Sequence, residues 1–244
     1  MGRYYYDLHT HSCLSPCADN DNTPNDLLGM ASLCGINILA LTDHNSCKNC
    51  PAFFKAAKRY GIVPVAGMEL TSSEDIHVVC LFETLEDAMA FDAEIQSHRT
   101  LIENRKDIFG DQLILDEDDN VIGEEKYLLP IATDISIEDA PDIVKKYGGV
   151  CYPAHIDRDS NGLIAVLGTF PVTPYFSAFE LRDASRYDEM VKKYGLEDKL
   201  LIVSSDSHSL ESIRDGENYF ELDDEPYSSA LIRNRLFKLL RGEV

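Results

Sequence analysis

The chain repeats one local pattern: a helical stretch, a glycine, then a short apolar run. "NDLLGMASLCG" leads into "INILALT", "CPAFFKAAKRYG" into "IVPVAGMEL", "SIEDAPDIVKKYG" into "GVCYPAH" and "SRYDEMVKKYG" towards "LLIVSS". Gly35, Gly61, Gly148 and Gly195 suit the residue that closes a helix before a strand begins. A repeated helix–glycine–strand unit predicts an α/β fold with a largely parallel sheet. No sequence repeat accompanies the rhythm, which argues against a solenoid. At 244 residues, 44% of them apolar, the chain can bury a substantial core, and one domain over 1–244 is expected. The stretch "FGDQLILDEDDNVIGEEKYLLPIA" breaks the rhythm, and about 109–132 reads as an inserted β-hairpin with a solvated acidic tip. Apolar residues at helical spacing predict a closing helix over about 226–241.

Charge and cysteine usage narrow the setting. The chain has 43 acids against 22 bases, a net charge of −21. Such a molecule repels a polyanion overall, so long nucleic acid is not expected as a partner. No run approaches the roughly 20 apolar residues of a membrane span, and no membrane partner is expected. The start "MGRYYYDLHTHS" lacks the apolar core of a secretory signal and the sixth-position Ser or Thr of a myristoylation site. Seven cysteines, an odd number, then read as thiols in a reducing cytoplasm. Cys80 and Cys151 sit in apolar runs as small hydrophobes. "CKNCP" (Cys47 to Cys50) has no second CxxC and reads as loop and helix-start chemistry, a redox role being the lesser alternative.

The histidines concentrate where strands end. His9, His11, His44, His155 and His208 each follow an apolar run, as do Asp206 and Glu69. In an α/β barrel those strand ends meet on one face, where sites are built. A lone histidine at a strand end is more often a packed side chain than a ligand. So many strand-end histidines and acids in one chain are not explained by core packing. Neutral imidazole with carboxylate is the donor set of zinc, manganese or iron, not calcium. His77 begins its run instead of ending it, so this logic does not place it. His98 falls in a helical pattern and reads as a surface residue.

"DLHTHSCLS", "LTDHN", "GMEL", "IHVVCLF", "YPAH" and "SSDSH" together resemble, in order, the motifs of the polymerase and histidinol phosphatase (PHP) family, from about Tyr4 to about Ser209. The resemblance implies a distorted (β/α)7 barrel bearing two or three divalent ions (Zn, Mn or Fe). It implies His9, His11 and Asp206 on the first metal, Glu69 bridging to a second, and His77 and His155 completing that second. His44 and His208 are implied on a third. The family places another His or Asp shortly after the serine of the first motif, and here the chain departs: Pro16 and Cys17 follow Ser15. Cys17 is the candidate there, a helix-entry or packing role the alternative, and Asp19 and Asp21 are in reserve. Asp43 is expected to orient a ligand, since ligating imidazoles need such partners.

The expected activity is hydrolysis of a phosphate ester by a metal-activated hydroxide attacking in line, with Glu69, Asp206 and His208 at its centre. Arg158, three residues after His155, is the expected phosphate contact, with Arg182 and Arg186 as weaker alternatives. The bland reading pairs Arg158 with Asp157 or Asp159. A phosphorylated small molecule is the expected substrate. The alternatives are a nucleotide or oligonucleotide phosphatase or exonuclease, and, in a different class, a silent metal-binding scaffold.

Overall fold

The computed structural model describes residues 1–173 and 175–243. The first half runs β1 (Gly2–Asp7), α1 (Pro24–Leu33), β2 (Ile38–Leu41), α2 (Cys50–Ala57), β3 (Val63–Thr71), β4 (His77–Phe82) and α3 (Leu85–Ile95). Next come α4 (Lys106–Phe109), β5 (Leu113–Leu115), β6 (Val121–Glu124), α5 (Ala140–Lys146), β7 (Val150–Pro153) and α6 (Leu163–Leu167). The chain closes with β8 (Ala178–Leu181), α7 (Tyr187–Tyr194), β9 (Leu200–Val203), β10 (Tyr219–Leu222) and α8 (Ser229–Leu240). The glycines at 35, 61, 148 and 195 all have positive φ, from +67° to +73°, as their places in the rhythm predict.

The fold is mixed α/β. One sheet has the order β10-β1-β2-β3-β4-β7, and β8 pairs with β9 in a second. The β1–β2, β2–β3 and β8–β9 pairs are parallel, while β3–β4, β4–β7 and β1–β10 are antiparallel. The expected largely parallel sheet therefore gives way to a mixed one. Connection length is the reason. Only Ser72–Ile76 separate β3 from β4, too few for a parallel crossover of a dozen residues or more. The chain must turn back, and His77 lands opposite Thr71 at the end of β3.

Strands β2, β3 and β4 are buried throughout, as expected of strands covered on both faces. Leu39, Leu41, Met68, Leu70 and Cys80 pack outward beneath α1, α2 and α3. The alternate residues Ile38, Ala40, Val63, Val65, Val79 and Leu81 face inward with Tyr4, Tyr6 and Leu8. Ile232, Leu236 and Phe237 of α8 belong to this inner core. Arg233 of α8 donates to the Glu83 and Pro64 carbonyls, and Leu240 accepts from the Ser177 hydroxyl. These contacts seat α8 near the starts of β3 and β8, so the opposite end, where the parallel strands finish, is free for a site.

Strands β5 and β6 form their own two-stranded antiparallel sheet. Its acidic tip keeps Asp118 exposed, as expected, but is also tethered to the helices. Asp119 accepts from the Thr23 hydroxyl at 2.7 Å, Arg59 pairs with Asp118 at 2.6 Å and Lys55 with Glu117 at 3.0 Å. The basic partners come from α2 and its end, and their spacing gave no sign of this in the sequence. Among the described residues no helix is long and apolar enough to cross a membrane.

Candidate metal centre

The strand ends converge on Glu69. Its Oε1 lies 2.8 Å from His77 Nδ1, 3.1 Å from His155 Nε2 and 3.3 Å from His9 Nε2. Its Oε2 lies 3.0 Å from His44 Nδ1 and 3.3 Å from His11 Nε2. Asp206 Oδ1 is 3.4 Å from Nε2 of both His9 and His11. The His208 ring stacks on His11 with centroids 4.2 Å apart. The antiparallel turn of β4 accounts for His77: the start of an antiparallel strand lies at the same edge as the ends of its parallel neighbours.

Three overlapping groups place all their donor atoms within 4.8 Å of one another: His9, His11, Glu69 and Asp206; His44, Glu69 and His77; His11, His44 and His208. Several of these atoms lie close together but without hydrogen-bond alignment, and one ring nitrogen of His155, outside the three groups, is also unpartnered. His44 Nδ1, Glu69 Oε2, His77 Nδ1, His155 Nδ1 and Asp206 Oδ1 are buried with no hydrogen-bond partner. Such orphans are rare in a native core and call for an ion or a functional reason. Burial holds His44 well below the ordinary imidazole range and His208 down at about 4, so both offer a free lone pair at neutral pH. Burial would raise the Glu69 carboxyl, but His77, His9 and His44 outweigh it and hold it well below its usual range. His11 is pulled down by burial yet pushed up to about 9 by Asp206 and Glu69, so a cation there displaces a proton. Imidazoles, neutral already at His44 and His208 and made so by a bound cation at His11, fit divalent transition-metal cations together with ionised carboxylates.

Residues 7–116 match the PHP domain family. The PHP match includes four of the six sequence motifs; "YPAH" and "SSDSH" lie beyond it. A 5'-3' exoribonuclease of Haemophilus influenzae is 36% identical over 112 residues, 44% of this chain and 39% of that protein. The lesion-specific endonuclease PfuEndoQ of Pyrococcus furiosus superposes with a TM-score of 0.66 at 17% identity, covering 99% of this chain and 56% of that one. A protein of Bifidobacterium adolescentis described as a metal-dependent phosphoesterase gives a TM-score of 0.60 at 17% identity, covering 96% of each chain. The chain thus spans only part of the length of the two nucleases. These likenesses correct one expectation: long nucleic acid is not barred by net charge, and restriction to a phosphorylated small molecule no longer stands. Net charge counts every acid on the chain, but Asp7, Asp43, Glu69, Glu180 and Asp206 are buried at the strand-end site, where bound cations would offset their charge.

Around the donor cluster, supporting residues fix the imidazoles. Glu180, buried in β8, sits 3.0 and 3.2 Å from His9 Nδ1 and accepts the His155 N–H at 3.0 Å. Sequence reading missed it, although a glutamate inside the apolar strand "AFEL" was a signal, since buried acids are rare unless paired. Asp7, equally missed, accepts the N–H groups of His9 and Ser205. Asp43 acts through a neighbour: it accepts the Ser15 hydroxyl at 2.7 Å, and Ser15 Oγ lies 3.1 Å from His11 Nδ1. His155 and Asp206 adopt φ of 28° and 53°, a left-handed backbone that non-glycine residues rarely take outside constrained sites. Glu180→Gln is expected to weaken divalent-metal affinity by about 10- to 100-fold. Competition against a chromogenic chelator measures this, and wild-type affinity would show that Glu180 does not orient His9.

Other expected residues are placed as follows. Arg158 Nη1 lies 3.0 Å from Asp206 Oδ2, not on Asp157 or Asp159. Cys17, Asp19 and Asp21 are exposed on the loop after β1, and none belongs to the three donor groups. The Asp19 N–H donates to the His208 carbonyl at 2.9 Å, which keeps that loop at the rim. The thiols of Cys47 and Cys50 are buried and directed at the Gly67 carbonyl, and all seven cysteines are free. His98 is half-buried away from the site, 2.6 Å from Asp134.

Proposed function

We propose that this chain is a metal-dependent phosphoesterase that cleaves phosphoester bonds of nucleic acid or oligonucleotides. The observation that carries the reading is the convergence of Asp206 and five imidazoles in overlapping donor groups around Glu69, with buried atoms of His44, His77, Glu69 and Asp206 lacking hydrogen-bond partners. In this reading His9, His11 and Asp206 hold one cation and His77 and His155 a second, with Glu69 shared between them. His44 and His208 hold a third, with Cys17 as its rim candidate. Two or three bound Zn, Mn or Fe ions would polarise the phosphoryl group and lower the pKa of water beside it. Arg158 provides a guanidinium at the mouth for a phosphoryl oxygen. His208, neutral at pH 7 with 30% of its side chain exposed, faces the incoming substrate. The strands β1–β4 and β7–β9, with the start of β4 and the finishing ends of the others turned to one rim, support a distorted (β/α)7 barrel. The free thiols suit a reducing, cytoplasmic setting.

The test is turnover by metal-loaded protein on single-stranded RNA and DNA oligonucleotides, with p-nitrophenyl phosphate as a monoester control. Release of nucleotides is expected; cleavage of the monoester alone, or of nothing, would overturn the reading. Arg158→Ala is expected to lower kcat/KM on the oligonucleotide by about 10- to 100-fold, the scale of one charged phosphate contact at 1.5–3 kcal/mol. Metal content should be unchanged, and an unaltered kcat/KM would remove Arg158 from the site.

A further inference from the structure

The loops after β7, β8 and β9 line up further arginines beside the donor cluster. Asp157 is their hub. Its carboxylate accepts the N–H groups of Arg182 and Asp183, both at 3.0 Å, and its carbonyl accepts Arg186 Nη1 at 3.0 Å. Arg214 Nη1 donates to the Arg182 carbonyl at 2.9 Å. Arg158, the next residue after the hub, reaches Asp206. These bonds fix the guanidinium groups of Arg158, Arg186 and Arg214 and the backbone of Arg182 along one stretch of rim.

Their partners differ. Arg158 pairs with Asp206 and Arg186 with Glu189. Among the described residues, Arg182, Arg214 and Arg233 are the arginines with no carboxylate at salt-bridge distance, and Arg233 turns to two carbonyls at the far end of the fold. In a chain with 43 acids and 22 bases, two exposed arginines without an acid, the guanidinium of one bonded to the backbone of the other, run against the composition. The nearby acids are directed elsewhere: Asp157 to backbone N–H groups, and Asp183 to the N–H and hydroxyl of Ser185. Arg214, anchored on the Arg182 carbonyl, and the Arg182 side chain beside it suit a shared anion, and the guanidinium fork matches phosphate oxygens.

We propose that Arg182 and Arg214 form a second phosphate subsite, so that the preferred substrate carries a phosphate next to the scissile one, as a nucleic-acid strand does. This rests on the phosphoesterase reading. The test compares ApA, which has one phosphate, with pApA and ApAp, which have two. Wild type is expected to show a kcat/KM at least tenfold higher on one of the flanked substrates. In Arg182→Ala and Arg214→Ala that ratio should collapse towards one, with partial rescue by lysine. Binding gives an independent readout by fluorescence anisotropy of a labelled single-stranded hexanucleotide. Each variant should make the plot of log Kd against log salt shallower by about 0.7, the loss of one phosphate contact. Equal wild-type rates on flanked and unflanked substrates, or unchanged ratios and salt slopes in the variants, would overturn the subsite and leave the phosphoesterase reading standing. No cleavage of any of the three by metal-loaded wild type would overturn both.

Discussion

Glu69→Gln is expected to lower turnover by about 10³-fold or more while the protein stays folded, since one lost electrostatic contact at a reacting centre alone costs 10²–10³. The change is close to isosteric, so the shape of β3 is kept. What it removes is the one carboxylate that five imidazoles share, at 2.8 to 3.3 Å. The amide cannot be shared as an anion between two cations, and its NH2 group would face donors that already lack partners. Bound metal, measured by mass spectrometry of the purified protein, should fall by about one equivalent or more. Near wild-type kcat with full metal content would show that Glu69 does not hold the centre together.

Removing metal should weaken the fold as well as the activity. The unpartnered buried atoms of His44, Glu69, His77 and Asp206 are groups that a cation satisfies in the native state and water satisfies in the unfolded one. A cation at 1,000 times its Kd would stabilise the native state by about 4 kcal/mol. For a chain of this size that corresponds to about 8–16 °C in Tm. Differential scanning calorimetry of chelator-treated protein, with and without added Zn or Mn, reads the shift directly. A Tm that does not respond to metal would mean that these donors accept none.

Part of this centre was legible in the chain because it is written at strand ends. A histidine directly after an apolar run is visible as such, and His9, His11, His44, His155 and His208 were found that way. The rest depends on pairing that a linear pattern does not carry. His77 opens a strand, and only the antiparallel return of β4 brings it to the others. Glu180 lies within a strand, and its role rests on contact with His9, 171 positions away. The arginine rim depends on Asp157 reaching across to the backbone of a separate strand end. The helix–glycine–strand rhythm conveyed the α/β class but not strand direction, because a glycine cap ends a helix without fixing which way the next strand runs.

The β3–β4 hairpin has a consequence for how this site could be lost. Side chains alternate across a strand, so Glu69 and His77 share a face only because the link Ser72–Ile76 has the length it has. A single-residue insertion or deletion in that link that shifted the ladder by one step, without touching any donor, would turn His77 out of the cluster. The parity of a surface turn thus acts as a gate on the chemistry. Length variation in this turn among related chains should therefore occur in twos, or should coincide with loss of the histidine.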